Sequence, residues 1–524
     1  MTVNISGIDL AIVIGYIAII IAIGIIVARR TKSGNDLFLA GRTLTWGAIG
    51  FSLFASNIST SSLVGLAGDA YRAGIAVSAY EWMGGLTLVF AAFVIFPFFL
   101  RGRLSTIPEY LEKRFDARAR KYFSAITLFL SVIVDMAGGL YAGALVAQTF
   151  IPDVNITVFI AVIAVFAGLY TAAGGLGAVV YTDVLQAIIL IIGSTSLAFI
   201  TFGEFDFSWA AATQALPEGH LSMIKPLDDP VLPWLGLLIG LPVLNIYYWS
   251  LNQYIVQRVL GSKDVPNAQW GAILAGALKQ LPLFIMILPG AFAVSLLPEL
   301  SSPDQVFPTL VQEFLPVGLT GLVIAGLLAA IMSSVDSALN SASTLLVLDF
   351  IEPASKEPLT PERQRRVGTY ATLGFMVLAT PWSPVIQVFP GLFSYLQAMF
   401  AYIEPPIVAI FLMGLLWPRG NARGAFWTLI IGHAFSLVTF ILVQTGVFEI
   451  HFTIVAGILT FISLIIFVIA SFVLGDAPSD EKIEGFTWRK RLAEPEASRP
   501  WYKDPRYQSV ALIVVSLSIV IAFW

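Results

Sequence analysis

FASNISTSSLVG, residues 54–65, sets six polar side chains (Ser56, Asn57, Ser59, Thr60, Ser61 and Ser62) inside a run that otherwise has the character of a membrane helix. Gly47 and Gly50 precede it, Gly65 closes it and Gly68 follows. An unpartnered polar group costs several kcal/mol in hydrocarbon, so this many together need a structural reason. Two arrangements supply one. The stretch can be a seam of small residues packed against another helix. Alternatively it can be a discontinuous helix whose freed carbonyls bind a cation, as in secondary transporters.

The rest of the chain fixes the setting. Of 524 residues, 57% are hydrophobic and 12% charged, which excludes an ordinary soluble protein. There is no cysteine, so disulfides and thiolate metal sites are excluded. Apolar runs predict fourteen spans, near 8–28, 46–71, 75–100, 122–151, 156–173, 178–203, 231–257, 266–298, 316–350, 367–387, 388–417, 424–447, 453–475 and 507–524. The first has no basic residue before it and reads as a retained span rather than a cleaved signal. With the N-terminus outside, the alternate inner loops 29–43, 101–121, 258–265, 351–366, 418–423 and 476–506 collect 26 of the 29 Lys and Arg residues. That asymmetry predicts both termini outside, in the cell membrane. Residues 302–314 are expected to form a short helix on the outer face, and 476–506 a mobile inner loop.

Polar groups recur at depth. Glu81, Asp135, Asp183, Lys279, Asp336 and Glu404 all fall inside spans, where each calls for a partner or a function. A second interruption is expected in LLIGLPVLNIYYW, residues 237–249, at Gly240 and Pro242. Interruptions in the second and seventh spans suit the opening helices of two inverted five-helix halves. In AAIMSSVDSALNSAST, residues 329–344, Ala330, Ser333, Ser334, Ser337, Asn340, Ser341 and Thr344 share one helical face. The stripe is either a packing ridge or a set of hard oxygen ligands; with so little formal charge, such ligands suit Na⁺ better than Mg²⁺ or Ca²⁺. AYEWMGG (79–85), NIYYW (245–249), Lys279 and Gln397 combine hydrogen-bonding groups with aromatic faces, as a neutral polyhydroxylated solute needs. No basic cluster offers itself to an anionic substrate.

DLFLAGRTLTWGAIG, SNIS, AYEWM, RLSTIPEYLEKRF, YTAAGGLGAVVYTDVLQ, NIYYWSLNQYIVQR, LPVGLTGLVIAGLLAAIMSS and LNSAST, in that order, resemble the solute:sodium symporter family, in its sodium/glucose and sodium/galactose cotransporter branch. The resemblance implies an all-α polytopic membrane protein with a leucine-transporter-like core of two inverted five-helix repeats, preceded by one span and followed by three. Residues 1–45 would then hold the extra helix and first inner loop, 46–203 the first half, 204–230 an outer loop, 231–417 the second half and 418–524 the closing helices. It further implies a sodium site made by the backbone of Ala55 and Ile58, the carbonyl of Ala330 and the hydroxyls of Ser333 and Ser334. Asp183, with Asp336 and Ser337, would mark a second sodium site or an exit path. Sugar contacts map onto Asn57, Ser62, Tyr80, Glu81, Asn245, Lys279 and Gln397, with Tyr248 and Trp249 at an inner gate. Ser62 and Gly84 depart from larger polar residues of the galactose carriers and imply a roomier site. Asp135 replaces an amide, and Asp336 replaces a small residue of some relatives.

The expected function is Na⁺-coupled import of a hexose such as glucose or galactose by alternating access. Other solutes are myo-inositol, a sialic acid or a proline-like amino acid. A cation channel would need a repeated filter segment, and a metalloenzyme a ligand cluster; His220, His433 and His451 are widely spaced and no HExxH occurs. The expected partners are Na⁺, a sugar or polyol and lipid, with no nucleic acid, and the expected state is a monomer.

Overall fold

A computed structural model describes residues 6–29, 31–150, 153–298, 300, 302–388, 392–488 and 500–524. Among them the chain is helical, with no strand. Helix α1 (Gly7–Ala28) starts from a Ser6–Asp9 capping box. Asp9 also accepts from the backbone N–H groups of Gly318 (2.7 Å) and Gly321 (2.8 Å), a carboxylate at the positive end of the helix that begins there. Next come α2 (Trp46–Asn57) and α3 (Thr60–Ala73), bent by 56° across their junction. The bent pair is the discontinuous helix, so the small-residue seam is set aside at this span. Then follow α4 (Ile75–Arg101), α5 (Ala117–Gln148) and α6 (Ile156–Gly203).

Helix α6 covers two expected spans and turns at Gly175, whose φ of +59° favours glycine. A Cβ there would meet the Leu37 carbonyl at 2.5 Å, so the joint also lets the chain pass close to its neighbour. The second set comprises α7 (Trp234–Leu251), α8 (Gln253–Leu260), α9 (Val265–Leu296), α10 (Leu319–Ala354), α11 (Pro361–Trp382) and α12 (Leu392–Leu416). The chain closes with α13 (Ala422–Gln444), α14 (Phe452–Val473) and α15 (Pro505–Ala522).

Helix α10 is the hub, packed against α1, α5, α6, α8 and α11. Every residue from Ala329 to Leu345 on it is buried. Helices α1, α13 and α15 instead expose large apolar side chains such as Ile14, Leu437 and Val514, as lipid-facing helices do. Eleven described helices are long and apolar enough to cross a membrane, and the bent pair α2–α3 makes a twelfth. The other two expected positions hold the shorter apolar helix Ile156–Leu169 and α11, which opens with Glu362, Arg363, Arg365 and Arg366.

The second interruption is found where expected: Trp234–Ile239 ends at Gly240 and Leu241–Ile246 begins there, with Pro242 in its first turn. Gly240 itself keeps helical dihedrals; its N–H donates to the Gly236 carbonyl (3.0 Å), and its carbonyl accepts from Val243 (2.9 Å) as well as Leu244 (3.2 Å). Its glycine serves contact: a Cβ would lie 1.7 Å from the Thr453 carbonyl of α14. A further break follows at Asn252, after a π-helical turn over Tyr247–Leu251. Asn252 is extended and its side chain caps α8 by accepting from Tyr254 N at 2.9 Å. The outer helix expected over 302–314 is present as Pro303–Gln305 and Val306–Phe314, packed on α3. Of the inner loop expected at 476–506, residues 489–499 lie outside the described residues; before them, Trp488 N bonds to the Leu415 carbonyl at 2.7 Å.

Gly240→Val is expected to lower the detergent-solubilised melting temperature by several degrees, because the Thr453 backbone cannot yield the space. Gly374→Ala, where nothing lies within 4 Å of the added methyl, is expected to leave it equal or slightly raised. A thermal-shift assay on both variants checks this.

Candidate functional site

The junction of α2 and α3 releases backbone groups that the structure satisfies one by one. Ile58 leaves the helical region (φ −77°, ψ 76°), and Ser59 starts α3 by accepting from Ser62 N. The Ala55 carbonyl takes the Ser333 hydroxyl (3.1 Å), the Ser56 carbonyl takes the Tyr254 hydroxyl (2.5 Å) and the Asn57 carbonyl takes the Ser62 hydroxyl (3.0 Å). Across the gap, Ser333 and Ser334 also donate to the Ala330 carbonyl, at 3.3 and 3.0 Å. Ala55, Ala330, Ser333 and Ser334 are thus joined in one buried hydrogen-bonded group, and Ile58 lies in the same apolar cluster as Ala55 and Ala330. The donor set is neutral and all oxygen, with carbonyls and rotatable hydroxyls, which fits a monovalent hard cation.

A second group lies one helical turn further along α10. Asp183 of α6 accepts from Ser52 (2.5 Å) and Ser56 (3.2 Å) and pairs with Arg258 at 3.6 Å, both charges fully buried. Arg258 also donates to Ser52 (2.7 Å), Ser56 (2.5 Å) and Ser337 (2.6 Å). Asp183 and Ser337 therefore meet, with a guanidinium between them. Asp336 does not join: it accepts from Thr171 on α6 at 2.6 Å. Arg258, counted in the sequence as an inner-loop cation, is a core residue of α8. A hint was available, since its neighbours in QYIVQRVL are mostly apolar rather than loop-like.

On the other side of the junction, Lys279 of α9 donates to both Asn57 and Glu81 and lies 5.4 Å from the Trp249 ring centroid. A cavity opens here, with about 490 Å³ of empty space counting the part open to solvent. Asn57, Ser62, Tyr80, Glu81, Asn245, Tyr248, Trp249 and Gln397 all line it, while Lys279 stands behind Glu81. A second cavity of about 560 Å³ shares Asn57, Ser62, Tyr248 and Gln397 and adds Asp135 and Ser334. Tyr248 borders both and packs edge-on against Trp249 (5.2 Å) and Phe400 (6.4 Å). The roomier site expected from Gly84 does not follow: a Cβ there would lie 2.6 Å from Trp249 Nε1, so the indole fills that volume.

A family model described as "Sodium:solute symporter family" matches residues 37–432. The chain belongs to the sodium:solute symporter family. Relatives include sodium/myo-inositol cotransporter 2 of Oryctolagus cuniculus, 33% identical with 92% of this chain and 79% of that one covered. The sodium/glucose cotransporter of Vibrio parahaemolyticus is 35% identical, with 83% and 85% covered. Sodium/glucose cotransporter 4 of Danio rerio is 34% identical, with 94% and 83% covered. A solved structure of a Na⁺-coupled sialic acid symporter superposes with a TM-score of 0.80 at 22% identity, covering 90% of this chain and 99% of that one. The fold is accordingly the leucine-transporter-like core of inverted five-helix repeats, in a multi-pass membrane protein. The protein is a Na⁺-coupled solute symporter, a family and fold of transporters rather than enzymes.

Arg258→Met leaves Asp183 buried beside Ser52 and Ser56 without its cation, at an expected cost of about 3–5 kcal/mol. The variant should lose most monodisperse material on size-exclusion chromatography, and adding Asp183→Asn should recover it. Equal yields for the single and double variants would contradict the pairing.

Proposed function

We propose that this protein imports a hexose or cyclitol together with Na⁺, with Ala55, Ile58, Ala330, Ser333 and Ser334 seating the ion and the cavity beside Asn57 seating the solute. The observation that carries this reading is the sharing of one backbone break. Ala55 is held by Ser333, while Asn57, two residues on, is held by the Lys279–Glu81 pair. An ion that draws Ser333 and the Ala55 carbonyl together also fixes where Asn57 points. Coupling then arises as differential affinity between two states of one element.

Glu81, Asn245 and Gln397 supply acceptors and donors for hydroxyls, and Tyr248 and Trp249 supply flat faces for C–H groups. No arginine lines either cavity, and the charged side chains in their linings are carboxyls, which disfavours a sialic acid or an amino-acid carboxylate. Relatives named for glucose and for myo-inositol both match over most of the chain, in keeping with a sugar or polyol. In this reading residues 46–203 and 231–417 form the two halves. The monomer sits in the cell membrane with both termini outside, and Tyr248 moves aside to release the solute inward. Arg258, with Asp183 and Ser337, lies along the ion's inward route. One Na⁺ entering through 100 mV down a tenfold gradient releases about 3.7 kcal/mol, enough for a solute gradient of roughly several hundred-fold.

Uptake of labelled glucose, galactose and myo-inositol into proteoliposomes tests the proposal. At least one should accumulate saturably with an inward Na⁺ gradient and leak out when a sodium ionophore is added; accumulation indifferent to Na⁺ would contradict it. Lys279→Ala and Gln397→Ala should raise the solute KM about tenfold or more. Ser334→Ala should instead raise the Na⁺ concentration for half-maximal uptake, and an unchanged Na⁺ requirement would overturn the cation assignment.

A further inference from the structure

The solute cavity holds more carboxyls than Na⁺–sugar symport uses. Glu81 is engaged by Lys279. Glu404 of α12, directly before Pro405 and Pro406, lines the 490 Å³ cavity, is wholly buried, and has no hydrogen-bond partner on either carboxyl oxygen. Asp135, on the π-helical turn of α5, lines the adjoining cavity. The charged groups lining this space are therefore Glu81 from α4, Asp135 from α5 and Glu404 from α12, with Lys279 of α9 directly behind Glu81. From α2, α3 and α7 come only uncharged side chains, among them Asn57, Ser62 and Tyr248. The nearby Arg258–Asp183 pair is neutral in itself. One ammonium stands against three carboxyls.

A buried carboxylate without a partner is costly until a cation or a proton reaches it. A structural carboxylate would have found a partner within the fold, as Asp183 and Asp349 have. Glu404 has none, and its side chain borders the space the solute enters. A protonated amine brings three donors and a full charge. The rings of Tyr248, Trp249 and Phe400 around the same space attract a cation as readily as C–H groups.

We infer that Glu404 is a substrate-contacting carboxylate that selects a protonated amine on the carried solute, so that the site takes an amino-sugar or amino-cyclitol in preference to its hydroxyl parent. This rests on placing a sugar-sized solute in the cavity, as proposed above.

The test is competition. Na⁺-driven uptake of labelled D-glucose and myo-inositol is inhibited with 2-, 3- and 6-amino-deoxyglucose, with amino-deoxyinositol, and with their N-acetyl forms, which lack the charge. At least one amine should inhibit at about a tenfold lower concentration than its hydroxyl parent, and its N-acetyl form should lose that advantage. In Glu404→Gln the ratio of amine to parent should fall to about one, and Glu404→Asp should keep part of it. No amine outcompeting its parent in the unaltered protein overturns the inference, however the variants fold. So does an advantage that survives Glu404→Gln. Proton entry with a neutral hexose, and no preference for the amine, assigns Glu404 to a proton and likewise overturns it. Na⁺-dependent sugar uptake without amine preference removes this inference alone; amine preference without Na⁺ dependence removes the coupling reading and leaves the role of Glu404 standing.

Discussion

Everything distinctive in this structure depends on satisfying the backbone where α2 stops and α3 begins. A helix hides its own polar groups, and a break at membrane depth exposes them where water is scarce. The carbonyls of Ala55, Ser56 and Asn57 are answered by hydroxyls from three places: Ser333 on α10, Tyr254 on α8 and Ser62 on α3. Each of these bonds ties the break to a different element, so the break is also the point where those elements are held in register. Here the hydroxyls donate to the carbonyls; in the proposed function they turn their lone pairs to a cation that the carbonyls face as well.

Burial of charge follows the same economy. Arg258 and Asp183 sit in the core with three serines distributed between them. Lys279 divides itself between Glu81 and Asn57. Both pairs touch α2 or its end: the first through Ser52 and Ser56, the second through Asn57. A shift of α2 relative to α10 would therefore alter the environment of two buried ion pairs together. Such coupled groups favour discrete states over gradual deformation, as alternating access requires.

The sequence showed much of this, for definable reasons. Six polar residues in twelve are hard to place on a lipid-facing helix, which narrows the stretch to a packing seam or a break; the bend between α2 and α3 decides for the break. The hydroxyl stripe on α10 was legible from its periodicity, and its residues are buried throughout. The interruption in α7 at Gly240 and Pro242 is legible from those two residue types, whereas the approach of the Thr453 backbone to Gly240, from far away in sequence, and the further break at Asn252 are not. A π-turn followed by an asparagine cap has a weaker signature. Arg258 was assigned to an inner loop because charge counting treats any arginine near a span end as solvated; its burial depends on Asp183, on another helix. Asp336 turned to Thr171 rather than Asp183, a rotation that residue spacing does not encode. The unpartnered state of Glu404 could only be seen once its neighbours were in place.

The central claim is that the ion seat and the solute seat share the break, so each occupant must strengthen the other. Isothermal titration of the purified protein measures it directly: solute Kd across a series of Na⁺ concentrations, and Na⁺ Kd with and without saturating solute. The account predicts that both affinities rise, and by the same factor, as linkage requires of a single coupling free energy. A solute Kd that stays constant from Na⁺-free buffer to saturating Na⁺ would contradict it.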